Sequence, residues 1–145
     1  MTTHFDANKK RQLARSGVFE SFDFVVREPD MRVAAVRARR DQLIQNIKEQ
    51  IELATNKNYA PVKYKWVSDV NGNFRRAAVP VRIKQWWLEL LDGRVQISVF
   101  HKGKPVKLRG ECNAIQIEDL SELVPTLELL RLSVELGDFD TLLSA

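Results

Sequence analysis

From Asp30 to about Asn56 the chain carries neither Gly nor Pro, and Val33, Ile44, Ile47, Ile51 and Ala54 recur on one stripe at helical spacing. That period predicts a long amphipathic helix opening at Pro29-Asp30. Its C-terminal half presents the better apolar face, because Arg37 and Arg40 occupy the intervening turns upstream. After Asn56 the period falls to two. Val62, Tyr64 and Trp66 alternate with Lys63 and Lys65, and Asn71-Gly72-Asn73, which tolerates positive φ, predicts a hairpin into residues 74–79. Pro80 cannot donate to a ladder and marks a break before a strand over residues 81–90. Asp92-Gly93 predicts a second turn, residues 94–101 a third strand, and Lys102-Gly103-Lys104-Pro105 a third turn, followed by short strands at 106–109 and 114–117. Turns this short join antiparallel strands, since a parallel crossover needs a dozen or more residues.

The helical period returns at Asp119, which stands at capping-box spacing from Glu122. Pro125 fits a first helical turn, so the predicted helix begins between Ser121 and Pro125, runs to about Leu136 and stops at Gly137. Leu123, Leu127, Leu130 and Val134 form one stripe; Leu129, Leu132 and Leu136 form a second. A helix apolar around so much of its circumference packs on two partners, the sheet and either the first helix or a second subunit. The expected fold is α+β: a long N-terminal helix, an antiparallel meander of four to five strands, and a C-terminal helix packed on the sheet and carrying a homodimer contact. The expected organisation is a flexible N-terminal arm over 1–20, one domain over 21–137 and a short acidic-apolar tail over 138–145.

Charge changes this picture more than composition does. Residues 58–110 hold eleven Lys or Arg against three Asp or Glu, net +8, whereas residues 111–145 hold one against eight, net −7. A basic stretch of this kind attracts polyanions, and 44% apolar with 29% charged residues is ordinary for a soluble domain. No apolar run approaches the roughly 20 residues of a membrane span, and the first residues lack the apolar stretch of a signal peptide, so a cytoplasmic protein without membrane contact is expected. Cys112 is the single cysteine, which excludes an intrachain disulfide, and with only His4 and His101 a metal cluster is hard to assemble. Neither metal nor cofactor is expected, and Cys112 reads as a small buried residue. Arg32, Arg37, Arg39 and Arg40 crowd the first helix turns against the macrodipole, calling for acids such as Asp30 and Asp41 or for an anionic partner.

Side chains alternate across a strand, so parity assigns faces. One parity collects Val62, Tyr64, Trp66, Val81, Ile83, Trp87, Val95, Ile97, Val99, Val106, Leu108, Ile115 and Ile117 as core. The other collects Lys63, Lys65, Arg82, Lys84, Lys107 and Arg109 with Trp86 and Phe100, and Arg75-Arg76 beside the hairpin turn extends that track or keeps the tip soluble. Cations for phosphates interleaved with rings for bases suit a single-stranded nucleic acid. The plainer alternative is a solvated face, with Trp86 and Phe100 covered by the first helix.

Arg82-Ile83-Lys84-Gln85-Trp86-Trp87, Asn113-Ala114-Ile115-Gln116-Ile117 and the ending from Glu122-Leu123 to Asp138-Phe139-Asp140, preceded by the helix over 43–53, resemble an uncharacterised family of small bacterial proteins. That resemblance implies no function. A meander followed by a helix, with residues 94–105 and 114–117 leading into it, is similar to single-stranded DNA binders of the positive-cofactor-four and whirly type, which implies helix-packed dimers with basic curved sheets. No phosphate-cradling glycine loop, Gly-x-Ser-x-Gly or metal-spaced cluster is present, so an enzyme is not expected. The expectation is a non-enzymatic nucleic-acid binder; the alternative is an inhibitor or adaptor docking a protein partner through the leucine-rich helix and the acidic tail.

Overall fold

The structure is a computed structural model and describes residues 17–144, which divide between Val33 and Ala34 into two compact units. Most of the expected N-terminal arm, and His4, lie outside the described residues. In the first unit a 3-10 turn, Val18–Ser21, starts at Gly17 with φ 87° and is closed by Ser21 Oγ donating to the Val18 carbonyl at 2.6 Å. Phe24 packs against Phe19 at 4.5 Å between ring centroids, the rings tilted by 41°, and meets Phe22 edge-on at 6.3 Å. Helix α1 (Asp30–Thr55) starts where Pro29, with no amide hydrogen of its own, offers its carbonyl to Arg32 N at 3.1 Å.

The second unit holds the remaining elements. Strands β1 (Val62–Ser68) and β2 (Phe74–Pro80) make a two-stranded ribbon; β3 (Trp87–Glu89), β4 (Val95–Ile97) and β7 (Ile115–Ile117) make a three-stranded antiparallel sheet in the order β3-β4-β7; β5 (Phe100–His101) and β6 (Lys104–Pro105) form a hairpin between β4 and β7. Helices α2 (Leu123–Glu135) and α3 (Asp140–Leu143) follow. The α+β class and the antiparallel pairing are as expected, but the continuous meander is not formed. The strand expected over 81–90 shortens to β3, that over 94–101 breaks at Ser98-Val99, and that over 106–109 is replaced by a tight turn with an Arg109–Cys112 bridge.

Where strands do form, parity is obeyed. The pairs Trp87↔Ile97↔Ile115 and Val95↔Ile117 put one apolar face of the sheet into a core shared with Leu43 and Ile47 of α1 and Leu123, Leu127, Leu130 and Val134 of α2. On α1 the buried line is Leu43, Ile47 and Gln50, with Ile44, Ile51 and Ala54 half-buried beside it and Val33 exposed. The helix is therefore rotated slightly from the expected stripe. Gln50 sits at the centre of that line because it completes backbone that no ladder reaches: its Nε2 donates to the Lys84 carbonyl at 2.8 Å and its Oε1 accepts from Trp86 N at 2.9 Å. Trp86 O in turn accepts from Ser98 N at 3.0 Å, so the approach to β3 is tied on both sides.

The C-terminal segment is part of the core. Phe139 and Leu143 are buried, so the acidic-apolar tail does not stand off as the contact surface expected for a partner. Arg40, whose anionic partner was sought in Asp30 or Asp41, instead donates Nε to Asp140 Oδ1 at 2.8 Å and Nη2 to Asp140 Oδ2. Gly137 turns the chain with φ 90°, a conformation that favours glycine, and a Cβ there would stand 2.7 Å from Arg40 Nη2 and push that side chain aside from Asp140. At the other end of α2, Asp119 Oδ1 accepts from Ser121 N and Glu122 Oε2 reaches back to Glu118 N, both at 2.9 Å, one residue removed from the expected capping box. Pro125 lies in the first turn as expected.

Gln50→Leu leaves the part-buried Lys84 carbonyl and the buried Trp86 amide without these partners, each costing about 1–3 kcal/mol, so urea denaturation should show roughly 2–6 kcal/mol lost; unchanged stability would refute the clamp. The hydrogen bond from Arg40, and then its charge, hold the Asp140 carboxyl below its usual range against the opposing effect of burial. A depressed folded-state pKa means that the unfolded chain binds the proton more readily. The contribution is thus complete above the ordinary aspartate value of about 3.9 and is lost as pH falls through the lower folded value. The stability gap between the native chain and Asp140→Asn should be constant at neutral pH and close below about pH 4 in pH-resolved denaturation.

Candidate nucleic-acid interface

The β1–β2 ribbon is turned by Asp69 as much as by the Asn71-Gly72-Asn73 sequence. Its Oδ1 accepts from Asn71 N and Asn73 N, both at 2.9 Å, and Gly72 takes φ 79°. The Asp69 carboxylate is thereby engaged by the backbone of the tip. The register Tyr64↔Ala78, Trp66↔Arg76, Ser68↔Phe74 places Tyr64, Trp66, Phe74 and Arg76 on one face, and Lys63, Lys65 and Arg75 on the other with Val67, Ala77 and Val79.

The two faces differ in burial, in the sense opposite to expectation. Tyr64, Trp66 and Phe74 are 67%, 72% and 73% exposed, while Val67, Ala77 and Val79 are half-buried. Arg76 lies with its Cζ 4.9 Å from the centroid of the Tyr64 ring, a cation-π contact diagonal across the ribbon. Tyr64 and Trp66, assigned to the core, are at the surface. Trp86, assigned to the exposed face, is only 8% exposed, and Phe100 is half-buried against it at 6.2 Å. The reason is local: the chain leaves strand geometry before Trp87, so parity counted back from β3 does not reach Trp86, which Gln50 holds inward.

The expected basic face is accordingly divided. Lys63, Lys84, Trp86 and Phe100 line one groove beside α1, with Glu49 on its wall. Lys84 caps the Phe100 ring, its Nζ 4.6 Å from the centroid, and Lys63 Nζ approaches the buried Glu49 at 3.7 Å. Lys65, Arg75, Arg76 and Arg82 are exposed on or next to the ribbon. Lys107 sits on a different segment, 3.1 Å from Glu111, and Arg109 opens the tight turn to Cys112. Cys112 is exposed, contrary to expectation, because that turn carries it away from the core. His101 is half-buried with its Nε2 enclosed and without a hydrogen-bond partner.

Sequence reasoning missed Phe74 and misassigned Tyr64 and Trp66. The signal that bears on them is the pair of prolines, Pro61 and Pro80, at the open end of the ribbon: Val81 N donates to the Pro61 carbonyl at 2.9 Å, and the chain then runs without strand pairing to Trp87, where the three-stranded sheet begins.

A family of unknown function, DUF6641, matches residues 1–143. The chain belongs to it. No curated protein and no solved structure matches this DUF6641 chain, and the likeness to positive-cofactor-four and whirly-type binders is not supported, its strands forming three small sheets in place of one curved sheet. The segments that carried the family resemblance have structural work in DUF6641: residues 82–87 contain the backbone clamped by Gln50, 113–117 contain β7, and 122–140 run from the α2 cap to the Arg40–Asp140 pair. Among the described residues no helix is long and apolar enough to cross a membrane.

Proposed function

We propose that the protein is a non-catalytic, cytoplasmic single-stranded nucleic-acid binder whose contact surface is the β1–β2 ribbon. The observation that carries this reading is the exposed face of Tyr64, Trp66 and Phe74 with Arg76 among them. Aromatic rings exposed together on a two-stranded ribbon are costly to leave in water, and each offers a stacking platform worth about 1–3 kcal/mol per base. Arg76 on the same face supplies a cation for phosphates, and Lys63, Lys65 and Arg75 on the opposite face, with Arg82 just beyond β2, would hold a strand that passes round the ribbon's edge. Trp86 and Phe100 leave the set of stacking residues because they pack on one another beneath Lys84. The exposed, free thiol of Cys112 fits a reducing compartment.

Anisotropy titration of a labelled single strand of about 20 nucleotides and the matching duplex, at two salt concentrations, tests the reading. Trp66→Ala should weaken single-strand binding about 5- to 150-fold, the equivalent of one stacked base. Arg75→Ala with Arg76→Ala should flatten the log K against log salt slope by about 1.4, the share of two phosphate contacts. No binding at low salt, or binding indifferent to both changes, would sink the proposal.

A second reading concerns association. Leu129, Leu132 and Leu136 form an exposed stripe on α2 and its C-cap, whereas Leu123, Leu127, Leu130 and Val134 are buried. The occupant we propose is a second copy, since in an antiparallel helix pair Arg131, held by Glu128 of its own helix at 2.6 Å, would face the partner's Glu135 beside the stripe. Sedimentation at micromolar concentration should show a dimer that Leu132→Lys converts to monomer. A native monomer would refute it.

A further inference from the structure

The groove beside α1 joins the ribbon to the β5–β6 turn. Its lining includes Lys63 of β1, Lys84, and Lys102 with Gly103 at the β5–β6 turn. Lys102 also lines a second cavity, with Lys104, Lys107 and Thr141. A row of four lysines, 84, 102, 104 and 107, thus passes through two adjoining depressions that share Lys102, and Lys63 connects the row to the ribbon.

Two observations mark this row as more than solvated charge. Among the described residues Lys84, Lys102 and Lys104 make no ion pair; the nearby acids are Glu49, already approached by Lys63, and Glu111, approached by Lys107. Lys102 also holds φ 52°, the single non-glycine residue with positive φ among the described residues, and Gly103 follows at 77°. A two-residue hairpin turn of this kind favours Asn or Gly at its first position, so a lysine there is kept against local backbone preference.

We propose that the phosphodiester backbone of the bound single strand passes from the aromatic face round the edge of the ribbon to Lys63 on the opposite face, crosses the groove past Lys84, and runs over the β5–β6 turn along Lys102, Lys104 and Lys107. This rests on the ribbon reading and names the path of the same ligand. Bases stack on Tyr64, Trp66 and Phe74, while the turn receives phosphates alone. Its contribution is therefore electrostatic, independent of base identity and steeply salt dependent.

The test pairs oligonucleotides of about 6 and about 16 nucleotides with the variant Lys102→Asn, Lys104→Gln, in which Asn suits the left-handed position and preserves the turn. The native protein should bind the longer strand more tightly and with a steeper salt slope. The variant should bind the short strand as the native protein does, lose the gain from length, and show a long-strand slope smaller by about 1.4. Lys102→Arg with Lys104→Arg should restore both. If the double variant matches the native protein on the long strand while Trp66→Ala still weakens binding, the path is wrong and the ribbon reading stands. If the native protein binds neither strand, both fail.

Discussion

The two hydrogen bonds from Gln50 to the backbone at Lys84 and Trp86 are the constraint on which the surrounding architecture depends. A buried amide or carbonyl without a partner is expensive, and the stretch leading into β3 has no neighbouring strand to satisfy it. By supplying both partners from one side chain, α1 allows this stretch to leave the sheet without penalty. The consequence is positional: Trp86 turns into the core, Phe100 packs against it, and Lys84 lies over Phe100. One polar residue in an apolar helix stripe thus determines both a buried aromatic pair and the placement of a surface cation.

A comparable economy explains the acidic C-terminal part. Its net charge of −7 suggested an interaction tail, yet several of its carboxylates have local partners. Asp140 holds Arg40, Asp119 and Glu122 close the start of α2, Asp138 accepts from Ser133 Oγ at 2.8 Å, and Glu128 pairs with Arg131 at 2.6 Å. These carboxylates are occupied in shaping α2, its exit and the return of Phe139 and Leu143 to the core. The charge asymmetry is therefore real, but its negative half is largely structural. The positive half keeps its exposed cations on the ribbon and the β5–β6 turn.

The sequence was most legible where chemistry is local. Proline and glycine punctuation located both long helices, the stop at Gly137 and the turns at Asn71-Gly72-Asn73, Asp92-Gly93 and Lys102-Gly103, each of which constrains its own backbone. Parity correctly assigned Trp87, Val95, Ile97, Ile115 and Ile117, which lie in paired strands. It failed at Trp86, where the strand had ended, and at Tyr64 and Trp66, where a second layer was assumed to cover the apolar parity. Alternation says that two faces differ; only the packing of other elements says which is covered. On the ribbon, the small and aliphatic side chains Val67, Ala77 and Val79 are the half-buried set, and the aromatic parity is left outside.

That inversion strengthens the functional argument while changing its residues. Trp86 and Phe100 could have served a ligand only by leaving the core, at a cost in packing and in the Gln50 clamp. Tyr64, Trp66 and Phe74 need no such rearrangement, being exposed already. A two-stranded ribbon is marginally stable in water by itself, so bases covering its aromatic face would supply the missing layer and order the ribbon at once. Part of the gross stacking energy is then spent on that ordering, and affinity falls below what three rings alone would give. In the proposed complex the cations flanking the ribbon would offset the loss through counterion release, and salt would be the variable to which binding is most sensitive.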